Sequence, residues 1–397
     1  MKLYILLLLP MWLFSESLEV LIQNAKNSHN SLKTIEQRVS AIDDEYQISR
    51  NFSDPSISLS MSDIQFSDPT KRDLEPMQYT AINFKQKIPY FGKRDAVSKK
   101  IDAKKQKISL TLDETKVKLV KAIKITAYSI WQIEQELKIT NEYINLTKQN
   151  IELYSAYGSS DTKSHMSIMS AEMTLSELKI KKSRFDSSLI GLYEKLSYLS
   201  AMEVKSVELD MDVNTPKELI FYTQTKGANI SYKVKQAILT EANEDIKVKE
   251  LNSYIDPVVQ VGYYNREAFE DYANIGIAFS LPIYGTQDSQ TEISKKLALA
   301  FKSEMIDLDK QLKAQIVQTH TELLNSYKIY DIIQNQSMPQ IQHMFELSSS
   351  SIKNGDELFL YINLLEKKLA LDEKSIGVVA AYHKTQASLD ALIGEMK

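Results

Sequence analysis

Residues 54–62 read DPSISLSMS and residues 256–264 read DPVVQVGYY, so an Asp-Pro pair opens an alternating segment twice, 202 positions apart. A second alternating segment follows each, TAINFKQKI at 80–88 and ANIGIAFSL at 273–281, now 193 positions apart. Both end in Pro-x-x-Gly, at 89–92 and 282–285. Alternation with a period of two predicts short strands. The same motifs in the same order predict a chain built from two repeats.

Long helical patterns follow each Pro-x-x-Gly and turn back once. Ile123, Ile130, Leu137, Ile144 and Ile151 repeat every seven residues, the spacing of a coiled-coil seam. Ile133 and Tyr154 partly fill a second seam among threonines. A helix of about 60 residues is roughly 90 Å long, so each hairpin is expected to project from the strands.

These patterns predict a mainly α fold with a small β part. The predicted order is a signal peptide at 1–17, a first repeat at 18–213, a connector at 214–228 and a second repeat at 229–397. The first repeat has a helix, strands at about 55–63 and 79–88, and a helical hairpin at about 95–200. The second has a helix, strands at about 257–264 and 272–282, and a hairpin at about 287–394.

The first residues indicate export. Lys2 precedes an apolar run from Leu3 to Phe14, and the small residues Ser15 and Ser17 follow, which is the pattern of a cleaved signal peptide. We expect cleavage after Ser15 or Ser17. The chain has no cysteine, so it has neither a lipid-anchoring cysteine nor a disulfide. With 48 basic against 52 acidic residues there is no basic excess, and a nucleic-acid partner is not expected.

The strands alternate between an aliphatic face and a face of serines and other small or polar residues. This arrangement suits a half-buried sheet of a soluble protein, and it equally suits a barrel strand with lipid outside and water inside. Export and the small number of strands favour the barrel. The candidate lumen-facing residues are Ser58, Ser60, Lys85, Lys87, Asn274 and Ser280. Tyrosines near the strand ends, Tyr79, Tyr90, Tyr263, Tyr264 and Tyr272, suit an aromatic girdle.

Four strands cannot close a barrel, because single-chain barrels need at least about eight. An open strand edge in lipid leaves backbone groups without hydrogen bonds, at several kcal/mol each. We therefore expect several copies of the chain to close one barrel together.

In this order of motifs the chain resembles the TolC family of outer-membrane efflux proteins. The resemblance covers nearly the whole mature chain and includes Pro55 and Pro257 before the first strands and Pro89, Gly92, Pro282 and Gly285 after the second. It implies a homotrimer in the outer membrane, with a twelve-stranded transmembrane β-barrel and a periplasmic α-barrel made from the hairpins. It also implies a periplasmic membrane-fusion adaptor, an inner-membrane pump of the RND type and contact with outer-membrane lipid.

The implied function is passive conduction in a tripartite efflux system. Residues 86–93, QKIPYFGK, are similar to the cation-efflux branch, whose partners are heavy-metal pumps. Two alternatives stay open: an outer-membrane channel for type I protein secretion, which has the same fold, and a periplasmic coiled-coil scaffold or adaptor. The cargo, whether metal ion, drug or protein, is open as well.

Catalysis is not expected, because the sequence has no phosphate-binding glycine loop, zinc-protease motif or nucleophile elbow. No cofactor is expected either. His165, Met166, Met169 and Met173 have the residue types of a soft-metal site, but their helical spacing favours packing. No metal site is therefore assigned.

The hairpin tips are the candidate periplasmic gate. Asp161 follows the glycine of the first tip, and Asp356 and Glu357 follow that of the second. In a trimer each carboxylate would occur three times around one axis, and such a ring favours cations. An aspartate here is also a helix cap, and the two roles are compatible.

Overall fold

A computed structural model describes residues 16–157, 162–350 and 355–395. Most of the predicted signal peptide, residues 1–15, lies outside the described residues. Within these ranges no helix is both long enough and apolar enough to cross a membrane.

The same order of elements occurs in both halves of the chain. The first half contains β1 (Glu16–Ser17), α1 (Leu18–Ser28), α2 (Asn30–Arg50), β2 (Ser56–Met61), β3 (Thr80–Lys87), α3 (Lys93–Tyr157) and α4 (Thr162–Ser200). Between the halves lie β4 (Val207–Glu208), α5 (Leu219–Gln224) and a 3-10 turn (Thr225–Ala228). The second half contains α6 (Ile230–Leu251), β5 (Val258–Asn265), β6 (Tyr272–Ala278), α7 (Thr286–Ile332), a π turn (Ile333–Ser337), α8 (Met338–Ser350) and α9 (Gly355–Leu392).

The chain forms two compact units, and each contains segments from both halves. The sheet unit comprises residues 34–112 and 231–309, and the helical unit comprises 113–230 and 310–397 with the described residues up to Lys33. The predicted repeats are therefore interleaved in space, because each compact unit is built from both of them.

In the sheet unit, four antiparallel strands lie in the order β2-β3-β5-β6. The central pair, β3 and β5, joins the two halves, with Lys87 opposite Val258 and Thr80 opposite Asn265. The strand predicted to reach residue 282 ends at Ala278. The last residue of β6 in the ladder, Ala278, lies opposite Val258, the first residue of β5. The pairing therefore ends where β5 begins, directly after Pro257.

The helices of the sheet unit are joined by ion pairs. Lys100 contacts Asp245 at 2.7 Å and Lys107 contacts Glu241 at 2.6 Å, both between α3 and α6. Lys104 contacts Glu45 at 2.6 Å, between α3 and α2. Burial raises the pKa of Asp245, but hydrogen bonds from Lys100 and Ser294 outweigh this effect and lower it.

In the helical unit the predicted coiled-coil seam forms the core. Ile123, Ile130 and Ile144 are buried, and the threonines of the second seam, Thr126, Thr140 and Thr147, are buried beside them. Thr140 and Thr147 donate their hydroxyls to backbone carbonyls four residues earlier, both at 2.7 Å. A seam of threonines is therefore tolerated because most of its hydroxyls are satisfied within the helix.

The connector predicted at 214–228 is part of the core of this unit. Tyr222 is buried in a cluster with Ile316, Leu323, Tyr382 and Leu389. A side chain also binds the backbone of the connector: the Tyr382 hydroxyl donates to the Asn214 carbonyl at 2.7 Å. This segment does more than link two repeats, because it packs on both α7 and α9.

The sequence Met338-Pro339 lies directly after the π turn Ile333–Ser337. Proline has no N–H for the helical hydrogen bond to the carbonyl four residues earlier. The helix widens into a π turn just before this residue, which is a common way to absorb such a break.

Candidate functional site

The candidate site is the four-stranded sheet, whose two faces differ in chemistry. Ser58 lies opposite Asn83, Lys85 opposite Gln260, and Gly262 opposite Asn274. Because side chains opposite each other share a face, the register defines both faces completely. The more polar face carries Ser56, Ser58, Ser60, Ala81, Asn83, Lys85, Lys87, Val258, Gln260, Gly262, Tyr264, Tyr272, Asn274, Gly276 and Ala278. The apolar face carries Ile57, Leu59, Met61, Ile82, Phe84, Val259, Val261, Tyr263, Ala273, Ile275 and Ile277, with Thr80, Gln86 and Asn265 as its polar members.

The apolar face is not covered by the rest of the chain. Leu59 is 77% exposed, Ile275 81% and Ile57 67%. A contiguous aliphatic surface of this kind marks a contact with lipid or with another protein. The outer edges of β2 and β6 also have no strand beside them in the described sheet.

The predicted lumen-facing residues lie on one face with one exception. Ser58, Ser60, Lys85, Lys87 and Asn274 share the polar face. Ser280 has the parity of that face but lies beyond the end of β6 at Ala278.

The tyrosines of the predicted girdle lie on both faces of the sheet. Tyr264 stacks on Tyr272 at 4.7 Å between ring centroids, and its hydroxyl donates to Asn83 at 3.0 Å, all on the polar face. Tyr263 lies on the apolar face. Adjacent residues of a strand point to opposite faces, so a Tyr-Tyr pair cannot place both rings outside.

At the base of the sheet, Asp256 binds three donors. It accepts from Lys93 at 2.7 Å and from the backbone N–H of Tyr90 at 2.8 Å, and Lys87 lies at 3.2 Å. Lys93 also donates to the carbonyl of Tyr254 at 2.8 Å. Burial raises the pKa of Asp256, but these donors outweigh burial and lower it below the ordinary value. These contacts bind the strand-to-helix turn of the first repeat to the Asp-Pro pair of the second repeat.

The repeat-motif residues form the turns from strand to helix. Gly92 has a φ of 84° and Gly285 a φ of 68°, a backbone conformation that residues with a Cβ rarely adopt. Each accepts the first helical hydrogen bond, from Ala96 at 2.9 Å and from Ser289 at 3.0 Å. Pro89 and Pro282 precede these turns and lie after the ends of β3 at Lys87 and β6 at Ala278, where a missing N–H costs no ladder hydrogen bond.

Sequence reasoning missed the ordered loop between β2 and β3. Gln78 is fully buried and donates to the carbonyl of Asp63 at 2.9 Å, while its own oxygen accepts from the N–H of Leu74 at 3.0 Å. Arg72 donates to the carbonyls of Ser62 and Tyr79. Only the extra length of this loop pointed to it, because glutamine and arginine in a polar loop give no pattern in sequence.

Most of the candidate gate residues lie outside the part of the chain that the structure describes. Asp161 lies outside the described residues. Asp356 and Glu357 lie in the first turn of α9, which begins at Gly355, but their side chains lie outside the described part. Among the described residues, no group of three or more His, Cys, Asp or Glu side chains is arranged to hold a metal ion.

The methionines of α4 do not pack within the chain as expected. Met166, Met169 and Met173 are each about two-thirds exposed, at 68%, 66% and 67%. Their spacing of three and four residues places them on one side of α4. The opposite side of the helix, with Ala171 and Leu178, is the one buried against other helices.

Solved structures with the same fold are outer-membrane proteins and channels. The outer membrane protein VceC of Vibrio cholerae is 13% identical, with 95% of this chain and 96% of that chain covered and a TM-score of 0.77. The MtrE outer membrane channel of Neisseria gonorrhoeae, in its open state, is 12% identical, with coverage of 95% and 88% and a TM-score of 0.78. The CmeC outer membrane channel of Campylobacter jejuni is 14% identical, with coverage of 95% and 85% and a TM-score of 0.73. No family model matches the sequence, and no curated protein matches it either.

The class of fold follows from the geometry and these likenesses together. The chain has the fold of TolC-like outer-membrane channels, mainly α with two long hairpins and four strands, as the resemblance in the sequence predicted. The similarity to VceC and to MtrE covers 95% of this chain, 96% of VceC and 88% of MtrE.

Proposed function

We propose that the chain is the outer-membrane channel of a tripartite efflux system and that it acts as a homotrimer. Three copies of the sheet would close a twelve-stranded barrel, with the hairpins forming a tunnel in the periplasm. The observation that carries the proposal is the four-stranded sheet itself: one face is aliphatic and uncovered, the other is polar, and both edges are open. In a membrane barrel the aliphatic face meets lipid and the polar face lines water.

The sheet favours this function over a periplasmic scaffold. A scaffold in water would leave Ile57, Leu59 and Ile275 exposed without a partner, which costs solubility. A channel for type I protein secretion would use the same sheet, and cargo distinguishes it from an efflux channel. We propose small molecules or metal ions as the cargo, on the basis of the similarity of residues 86–93 to the cation-efflux branch.

Conduction in this proposal is passive and needs no cofactor. Energy comes from an inner-membrane pump of the RND type, linked through a periplasmic membrane-fusion adaptor, as the sequence resemblance implies. The gate is placed at the hairpin tips, where Asp356, Glu357 and Asp161 would form rings of carboxylates. Support for Asp356 and Glu357 is their place in the first turn of α9, where the helix dipole stabilises negative charge.

Single-channel recording in planar lipid bilayers tests the proposal. The purified protein is expected to produce discrete current steps without any nucleotide, with a reversal potential in a salt gradient that indicates cation selectivity. Replacing both carboxylates of the second tip, Asp356→Asn with Glu357→Gln, is expected to reduce that selectivity.

The matched control is Glu172→Gln, a carboxylate on the same hairpins that is no part of the proposed gate. It is expected to leave the selectivity unchanged. Protein that inserts into the bilayer but never conducts would contradict the channel function. If the double variant conducts with unchanged cation selectivity, the proposed gate is contradicted but the channel function is not.

A further inference from the structure

We propose that Met166, Met169 and Met173 on α4 bind one soft monovalent cation, Cu(I) or Ag(I), through their three thioether sulfurs. The binding itself is a property of the helical unit and needs no channel. That the bound ion is cargo rests on the proposed function, and it narrows the proposed cargo to soft metal ions.

The apolar residues at the start of α4 are sorted by type between its two sides. Between Thr162 and Leu178 the exposed apolar side chains are those of Met166, Met169 and Met173. The buried or half-buried ones are those of Ile168, Ala171, Leu175 and Leu178. A surface that only had to be apolar could use leucine or isoleucine as well. The sorting therefore indicates that the exposed side of α4 uses the sulfur atoms.

The spacing of the methionines allows three sulfurs to reach one ion. Met169 follows Met166 by three residues and precedes Met173 by four. Side chains at these spacings are neighbours on one side of a helix, with Cβ atoms about 5–6 Å apart. The unbranched methionine side chain has three rotatable bonds, so sulfurs from successive turns can point to one place between them. All three side chains line one open cavity on the surface of α4.

The chemistry of this cavity selects a soft ion. Thioethers are soft ligands that favour Cu(I), and Ag(I) is a soft ion of the same charge. Ser170, Glu172 and Ser176 line the cavity as well. Their oxygens are hard donors of the kind that suits magnesium or calcium, and the Ser176 hydroxyl donates to the backbone carbonyl of Glu172 at 2.9 Å. We therefore assign the binding to the sulfurs alone.

The proposed metal site lies close to the first hairpin tip in sequence. α4 begins at Thr162. Met166 is therefore about 6 Å along the helix from its first residue, and Met173 about 17 Å. In the proposed channel the hairpin tips form the entrance. An ion bound by the three methionines would thus be held within the first turns that follow one of these tips.

Titration calorimetry with silver nitrate tests the binding. The purified full-length protein is used in mild detergent and in a chloride-free buffer, because chloride precipitates silver. We expect about one Ag(I) to bind per chain in a saturable step. The triple variant Met166→Leu, Met169→Leu and Met173→Leu should lose this step. Leucine keeps the volume and the apolar character of methionine, so a role in packing alone predicts no loss.

Two variants serve as matched controls. Met344→Leu removes a methionine of α8 that is 52% exposed and has no other methionine three or four positions away. Glu172→Gln removes the carboxylate beside the sulfurs. Both variants are expected to bind Ag(I) like the unmodified chain. Loss of binding in Glu172→Gln would contradict the assignment to sulfur, and loss in Met344→Leu would contradict the assignment to α4.

Carbon-13 NMR of the methionine methyl groups locates the ion in the unmodified chain, whether or not the triple variant folds. Three signals are expected to shift together as Ag(I) is added and to saturate at about one ion per chain. Each single leucine variant identifies one of them, because its signal is missing. If these three signals do not move, or if the triple variant binds as much Ag(I) as the unmodified chain, the proposed metal site is wrong.

Failure of the metal site and failure of the channel can be told apart. A chain that binds no Ag(I) but conducts in lipid bilayers would overturn the metal site and leave the channel function in place. A chain that binds Ag(I) through the three methionines but never conducts would keep the metal site and overturn the proposed function.

Discussion

At the scale of single residues, Asp256 connects the sheet to the long helix that follows it. Lys93, whose side chain is only 10% exposed, depends on Asp256 for its ion pair. The Asp256→Asn variant should therefore have a free energy of unfolding that is lower by about 1–3 kcal/mol, the usual range for a weakened charged hydrogen bond. The measurement is the temperature at which the purified oligomer dissociates in detergent.

The control for this variant is Asp54→Asn, in the equivalent Asp-Pro of the first repeat. Asp54 is exposed, and the positions that correspond to Lys87 and Lys93 hold the uncharged Ser280 and Thr286. A smaller effect is expected for this variant. Equal effects of the two substitutions would contradict the role given to Lys93.

The ion pair between Asp256 and Lys93 also leads us to expect that stability depends on pH. The pKa of Asp256 is lower in the folded chain than in the unfolded chain, since its donors outweigh burial. Its contribution is fully present above the ordinary carboxyl pKa of about 4, and it is lost as the pH falls through the lowered folded value. Asp256→Asn should lose this part of the pH dependence, measured as the dissociation temperature between about pH 7 and pH 3.

Gly262 is predicted to be required on the polar face. A Cβ at this position would lie 2.4 Å from the Asn83 side-chain oxygen and 2.8 Å from the ring of Tyr264. Gly262→Ala should break the hydrogen bond between Tyr264 and Asn83 and lower the dissociation temperature of the oligomer. Gly276→Ala is the matched control, since a Cβ there has open space. Equal behaviour of the two variants would contradict the packing described.

The first described residues predict where the signal peptide is cleaved. Glu16 and Ser17 pair with Val207 and Glu208, and the hydroxyl of Ser17 accepts from the N–H of Val20 at 3.4 Å as a helix cap. Cleavage after Ser15 preserves both, and cleavage after Ser17 removes both. We expect a mature chain beginning at Glu16, determined by mass spectrometry of the exported protein; a chain beginning at Leu18 would contradict this.

At the scale of elements, the threonine seam of α3 offers a test of helix packing. Thr126 is buried, and its hydroxyl has no hydrogen-bond partner among the described residues. Thr126→Val should stabilise the helical unit by about 1 kcal/mol, because it removes an unsatisfied polar group at similar volume. Thermal unfolding followed by far-ultraviolet circular dichroism measures the change.

Thr140→Val is the comparison, since the Thr140 hydroxyl donates to the carbonyl of Glu136. Its loss is expected to leave stability nearly unchanged or slightly lower. A larger gain from Thr140→Val than from Thr126→Val would contradict the assignment of the unsatisfied hydroxyl.

Some features of the secondary-structure elements could be predicted from the sequence, and others could not. Alternation and Pro-x-x-Gly predicted the strands and their turns, because both depend on local backbone chemistry. Alternation overestimated β6, because the end of a strand depends on its partner, and here the pairing ends at Val258, the first residue of β5. The packing of Tyr222 was missed for a similar reason: a short connector shows no periodicity, and its core contacts come from α7 and α9.

The candidate site was predicted unevenly for physical reasons. Parity placed Ser58, Lys85 and Asn274 on one face, because the period of a strand is fixed. The pairing of Asp256 with Lys93 joins residues from different halves of the chain, and no spacing in sequence encodes it. The exposed Met166, Met169 and Met173 show the opposite case, where a helical spacing typical of packing lies on a surface that one chain leaves open.

At the scale of the whole molecule, the proposed trimer requires the sheets of several copies to close one barrel. A sheet with an aliphatic face and two open edges is stable in a membrane only when its edges are paired, because unpaired backbone groups in lipid cost several kcal/mol each. Assembly and membrane insertion are therefore expected to occur together.

The measurement that tests this account most directly is the state of the protein in isolated outer membranes, examined in mild detergent with and without heating. We predict a band of about three times the monomer mass, found with the outer membrane, that converts to the monomer on boiling, as expected of a closed β-barrel oligomer. A monomer in the soluble periplasmic fraction, unchanged by heating, would contradict the account.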